Sequence, residues 1–302
     1  MRAGASRSFT VGLADGRTLE IIAEGPVDAL PLVFQSGTPC AAVLFPSLVA
    51  AAANRGLRTV AYSRPGYANS TPKPGRSVAD CAADIDALLD ALNAHTFVTV
   101  GWSGGGPHAL ACAALLPGRC KAAASIGSVA PFGIEGFDWF AGMASNNVKE
   151  FSLAAEGEAA LTPALEKWAK GIAHMDSASL ATSLGGLVTD VDREALTGQF
   201  ADFVAASFHG GVTTGIAGWR DDDLAFMRDW GFSLADISRP VAVWHGDQDV
   251  LVPFAHGEWL ATHIPHARAN LRSGEGHLSL VGGGISEIID DLLDLASLQS
   301  NG

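Results

Sequence analysis

Cationic side chains are scarce in this sequence: 19 lysines and arginines stand against 32 aspartates and glutamates, a formal net charge of -13. That balance repels phosphate backbones and anionic membrane surfaces, so no nucleic-acid partner is expected. Charged residues of either sign reach only 17%, against 48% hydrophobic, which argues against global disorder and for a sizeable buried core. Long apolar runs are missing too. No stretch approaches the roughly 18 continuous apolar residues of a membrane-spanning helix, and the N-terminal MRAGASRSFTVGLADGR lacks an apolar core long enough for a signal peptide. A cytoplasmic chain with no membrane partner is the expectation. Cysteine is sparse: Cys40, Cys81, Cys112 and Cys120 form no C-x-x-C pair and have no histidine at zinc-ligand spacing. Buried free thiols are expected, with no metal site and no disulfide framework.

The residues that are present alternate in a readable way. Ser8–Leu13 and Thr18–Ala23 flank a turn at Ala14-Asp15-Gly16 and read as a hairpin. Strand-like Leu32–Gln35, Thr59–Ser63, Phe97–Trp102 and Ala122–Ile126 then alternate with helix-like Ala41–Asn54, a helix ending near Leu92 whose start Ser77 and Asp80 mark, and Pro107–Leu116. Such alternation predicts an α/β fold, a mostly parallel sheet with helices on both faces. From about Pro131 to Ala235 no strand-length β-branched run occurs, and 13 of the 23 aromatic residues and 15 acidic against 6 basic residues fall there. Strands resume at Val241–Trp244 and Ala267–Leu271, before a last helix near Ile285–Leu295. The organisation expected is an α/β core over 1–130 and 236–302 with a helical lid inserted over 131–235.

Gly101-Trp102-Ser103-Gly104-Gly105 fits G-x-S-x-G. The bare pattern is weak, but a strand ends directly before it and a helix begins directly after, so Ser103 sits on a cramped turn at a helix N-terminus. The overlapping Gly104-Gly105-Gly106-Pro107-His108-Ala109 matches a dinucleotide-binding pattern. That fold wants an acid about 20 residues on, and none occurs between Asp90 and Glu135; no cofactor is expected. A serine nucleophile needs a base and the base an orienting acid. Gly274-Glu275-Gly276-His277 presents an imidazole on a flexible loop, while Asp247 and Asp249 compete for the acid after strand 241–244. Gly104 and Thr38, in Gln35-Ser36-Gly37-Thr38-Pro39, are placed to give the two backbone N–H groups of an oxyanion hole.

Together these segments resemble the α/β-hydrolase superfamily, in particular lid-bearing serine hydrolases similar to proline iminopeptidases and small-molecule esterases. The resemblance rests on S-G-T-P at 36–39, Ser63-Arg64-Pro65-Gly66-Tyr67-Ala68-Asn69-Ser70, G-W-S-G-G, H-G-D-Q-D-V-L-V-P and G-E-G-H. Its G-x-x-D-x-x-V-P pattern aligns the acid with Asp249. Where many relatives carry His-Gly before the oxyanion residue, this chain has Ser36-Gly37. The resemblance implies acyl transfer on a small-molecule substrate, carboxylic-ester cleavage first and aminopeptidase activity second, the Asp221-Asp222-Asp223 run then holding an ammonium group unless it is ordinary solvated surface. A non-catalytic ligand-binding protein is the third alternative. Trp102, Phe140 and Trp219 are expected to line the substrate pocket. The sequence leaves the oligomeric state open, a homo-oligomer included.

Overall fold

The computed structural model describes residues 7–298; the first six residues, part of the stretch read above for a leader, and the last four lie outside it. Eight strands form one sheet among the described residues: β1 (Arg7–Gly12), β2 (Thr18–Glu24), β3 (Leu30–Gln35), β4 (Leu57–Tyr62), β5 (Phe97–Trp102), β6 (Cys120–Ile126), β7 (Val241–Gly246) and β8 (Arg268–Arg272), in the order β1-β2-β4-β3-β5-β6-β7-β8. β2 runs antiparallel to both its neighbours, and from β4 to β8 every pairing is parallel.

The period of two along the central strands decides which helices cover which face. Leu32 and Phe34 enter one apolar cluster with Val98, Val100, Ala242 and Trp244, while Val33, Phe97, Val241 and Val243 enter another. The first face is covered by α1 (Pro46–Ala53) and α11 (Ser279–Leu298), the second by α2 (Cys81–Ala91), α3 (Gly106–Leu115) and α10 (Phe254–His263). A strand buried on both faces reads as a continuous apolar run, which is why these segments carry little polar alternation. Each fully buried Leu or Phe contributes roughly 1.5–3 kcal/mol by leaving water.

Two local expectations are corrected. The helix expected from Ala41 begins at Pro46, because proline has no N–H to give to a preceding turn and holds Phe45 extended, with ψ of 145°. The second helix begins only at Cys81, beyond the Ser77–Asp80 pair expected to mark its start; the pair itself forms, the Asp80 carboxylate accepting the Ser77 N–H at 2.7 Å as well as Lys73 Nζ at 2.7 Å.

No strand lies between β6 and β7 among the described residues. That interval holds α4 (Ser145–Glu156), α5 (Glu158–Ile172), α6 (Leu180–Leu184), α7 (Asp190–Ala195), α8 (Gly198–Val212) and α9 (Ala217–Phe226). No helix is long and apolar enough to cross a membrane, again among the described residues. All four cysteines are free and buried.

Candidate active site

Parallel neighbours end at the same sheet edge, and here β3 and β5 do so in register, Gln35 opposite Gly101. The loop after β3 therefore faces the turn after β5. Ser103 occupies that turn with φ of +56°, a left-handed conformation that costs a residue with a side chain of order 1 kcal/mol or more. The turn is pressed hard against β3: a Cβ on Gly105 would lie 2.0 Å from the Gln35 carbonyl oxygen. Residues 103–105 form one 3-10 turn leading directly into α3, so the early N–H groups of this helical run have no partner in a preceding turn.

Asp249, on the loop after β7, and His277, on the loop after β8, meet at this edge. His277 Nδ1 lies 2.7 Å from Asp249 Oδ2, and both side chains are buried. A carboxylate only accepts here, so the neutral imidazole carries its proton on Nδ1 and leaves Nε2 as the basic nitrogen. Burial alone would depress the His277 pKa; the Asp249 charge outweighs it, and the pKa is raised above 6.5. Asp249 is itself held by the Val252 N–H at 2.8 Å. Its rival Asp247 lies apart from the imidazole and braces the turn before it, accepting Ser273 Oγ and the Gly274 N–H, each at 2.8 Å.

Ser103, Gly104, Thr38 and His277 line one cavity of about 430 Å³. Thr38 and Gly104 are close neighbours, since a Cβ on Gly104 would fall 2.4 Å from Thr38 Oγ1. The cavity also takes in Trp102 and Trp219. Phe140 is not among its lining residues: its ring packs against Trp139 and Phe132, with centroids 5.2 and 6.1 Å apart. Aromatic content singled out the segment between β6 and β7 but could not say which rings turn inward. Cys40 also lines the cavity, and burial pushes its thiol up to about 12, so it offers no thiolate to rival Ser103. Among the described residues no three His, Cys, Asp or Glu side chains converge as metal ligands.

The acidic run Asp221-Asp222-Asp223 departs from both expectations for it. All three are buried. Asp222 pairs with Arg76 at 2.7 Å and Arg64 at 2.5 Å and accepts Tyr67 Oη and Thr38 Oγ1, each at 2.8 Å. Although burial opposes ionisation, the two guanidiniums hold its carboxyl far below the usual carboxylate range. Asp223 faces Glu150, and burial raises the pKa of both, that of Glu150 to about 7. Glu150 accepts Trp219 Nε1 at 2.7 Å and lines the cavity. Behind the serine turn, buried His108 donates from Nδ1 to the Gly104 carbonyl at 2.8 Å and is kept neutral by burial, with its pKa near 3.

The relatives agree with this architecture. A non-heme chloroperoxidase of Streptomyces lividans is 30% identical over 280 residues, covering 88% of this chain and 91% of its own. A pimeloyl-[acyl-carrier protein] methyl ester esterase of Aromatoleum aromaticum is 29% identical over 228 residues, covering 74% and 81%. Among solved structures, carboxylesterase CesB from Bacillus subtilis superposes with a TM-score of 0.62 at 18% identity, over 96% of this chain and 91% of that one. The family model described as "alpha/beta hydrolase fold" matches residues 31–283. By that match, and by the parallel sheet with its serine turn after β5, the chain belongs to the alpha/beta hydrolase fold family.

Proposed function

We propose that this chain is a serine hydrolase cleaving a carboxylic ester, or a related acyl compound, of a small and largely hydrophobic molecule. The observation that carries the proposal is the His277–Asp249 bond of 2.7 Å at the wall of the cavity that Ser103 lines. Ser103 Oγ attacks the ester carbonyl while His277 Nε2 takes its proton; Asp249 steadies the imidazolium that forms. The backbone N–H groups of Thr38 and Gly104 receive the oxyanion, each worth roughly 3 kcal/mol in comparable sites. The imidazolium then protonates the departing alcohol, leaving an acyl group on Ser103. Water activated by His277 releases the acid and restores the serine.

The helices between β6 and β7 serve as a lid. They contribute Phe151, Trp168, Ile172, Leu184, Trp219 and Phe226 to the cavity, walls suited to an apolar acyl or alcohol group. The methyl ester esterase among the relatives supports the ester reading. An aminopeptidase has less support, because Asp222 is already neutralised by two arginines. The haloperoxidase relative favours a second reaction at the same serine: hydrogen peroxide in place of water would release a peracid from the acyl-enzyme and leave Ser103 free.

The test is fluorophosphonate labelling of wild type and Ser103→Ala, followed by p-nitrophenyl esters, proline p-nitroanilide and the ester reaction with added peroxide. Wild type should label and turn over esters; Ser103→Ala should do neither. Undiminished ester turnover by Ser103→Ala would refute the mechanism.

A further inference from the structure

Two buried carboxylates of the inserted helices touch the site without entering the reaction as written. Asp192, on α7, is fully buried. Its Oδ1 accepts the N–H groups of Leu278 at 2.8 Å and Ser279 at 3.0 Å, and its Oδ2 that of His277 at 3.2 Å. These amides form the entry to α11, where the first N–H groups of a helix lack partners within it. A carboxylate from a distant element supplies the cap. The approach is close enough that a Cβ on Gly276 would lie 2.4 Å from Asp192 Oδ1. His277 is thus held by Asp249 at its ring and by Asp192 at its backbone.

Asp222, on α9, does the corresponding work on the other side of the cavity. Besides accepting Thr38 Oγ1, it fixes the Arg64 guanidinium, whose Nη1 and Nη2 donate to the carbonyls of Ser36 at 2.5 Å and Gly37 at 2.9 Å. Arg64 Nη2 also reaches Thr38 Oγ1 at 3.1 Å. The Ser36 and Gly37 carbonyls and Thr38 Oγ1, in the loop preceding the Thr38–Pro39 bond, therefore lead to one carboxylate of α9, directly or through one guanidinium.

We infer that the inserted helices complete the catalytic apparatus as well as cover it, Asp192 acting as a positioning residue for His277 and Asp222 as one for the oxyanion loop. The inference rests on the serine-hydrolase reading of the site. The two arms have different signatures. The groups facing the imidazole are Asp249, Asp192 and buried His245, and the two carboxylates both favour its protonated form. Asp222 instead faces the oxyanion loop.

The experiment compares Asp192→Asn, Asp222→Asn and Arg64→Lys with wild type on a p-nitrophenyl ester across pH, with fluorophosphonate labelling and a urea unfolding curve for each. Asp192→Asn keeps the shape and removes the charge. Its kcat/KM acid limb should move to lower pH by about half a unit or more, with kcat at the plateau reduced roughly tenfold. Arg64→Lys keeps a charge opposite Asp222 but loses the planar fork that spans two carbonyls and a carboxylate. It should lower kcat roughly tenfold, leave KM within about twofold and leave the acid limb in place. Asp222→Asn should follow the same pattern more strongly; if it does not fold, Arg64→Lys decides that arm. Variants that lose stability yet keep wild-type kcat and acid limb would overturn the positioning roles alone. A wild type that neither labels nor turns over esters would overturn the hydrolase reading and this inference together.

Discussion

His277 is governed by opposed influences, burial favouring the neutral ring and the Asp249 carboxylate favouring the charged one, and the second prevails. A general base works only when neutral, so a raised pKa narrows its working range from below. Ester kcat/KM is expected to fall as pH drops through an acid limb lying above the ordinary imidazole value of 6.5, and a limb below that value would contradict the prediction. Asp249→Asn should move the limb to lower pH and reduce kcat by about 10⁴-fold, because an amide no longer enforces a proton on Nδ1 and no longer offsets the imidazolium. At this scale glycines and strand ends mark Ser103 and His277 in the sequence as candidates, and the structure brings both to the wall of one cavity, with Asp249 bonded to His277. Which of Asp247 and Asp249 meets the imidazole could not be taken from spacing alone, since both follow the same strand by a few residues. Asp192 left no mark at all; its role depends on a backbone 85 residues away.

Elements show why the acidic run was misjudged. Trp219, Asp222, Asp223 and Phe226 stand at i, i+3, i+4 and i+7 of α9 and share one buried face. Helical periodicity was therefore the available signal: two aspartates on an apolar face need partners, and Arg64 and Arg76 in the proline-rich loop were candidates. The same face brings Asp223 to Glu150 of α4, and this pair makes stability depend on pH. Both carboxyls have folded pKa values above their ordinary ones, so the folded chain binds more protons than the unfolded one as pH rises from about 4 to about 7. Their contribution is fully present below the ordinary carboxylate range and is lost as pH rises through about 7 for Glu150. Glu150→Gln, which cannot ionise, should gain stability relative to wild type as urea unfolding is repeated from about pH 5 to about pH 7.5. A gap between the two curves that does not change with pH would show that the pair shares no proton.

The molecule as a whole raises the question of whether core and inserted helices are separable bodies. The alternation of strands and helices could be read from where apolar runs stop and resume, but neither the order of the strands across the sheet nor the interface between the parts could. Apolar composition within the insertion suits a private core as well as a shared one. In the structure the core is shared: Phe226 and Trp230 lie in the cluster on one sheet face with Leu110 and Val243, and Leu184, Phe203 and Val204 in the cluster on the other with Phe34 and Leu292. Phe203 of α8 shows the coupling best. Its ring lies 4.5 Å from that of Phe45, 6.4 Å from Phe34 and 6.3 Å from Trp102, the residue preceding the nucleophile. Phe203→Ala should cost about 3–5 kcal/mol through the cavity it leaves. Because the cluster belongs to both parts, that loss should displace one common transition rather than release the insertion first. Four of the seven tryptophans lie in the insertion, at 139, 168, 219 and 230, so tryptophan fluorescence weights that part while far-UV circular dichroism reports all helices. The two probes should give coincident urea midpoints in wild type, and midpoints lowered together in Phe203→Ala. A fluorescence transition that precedes the dichroism change in wild type would mean that the insertion unfolds on its own, and the two site loops would then owe their positions to the sheet alone.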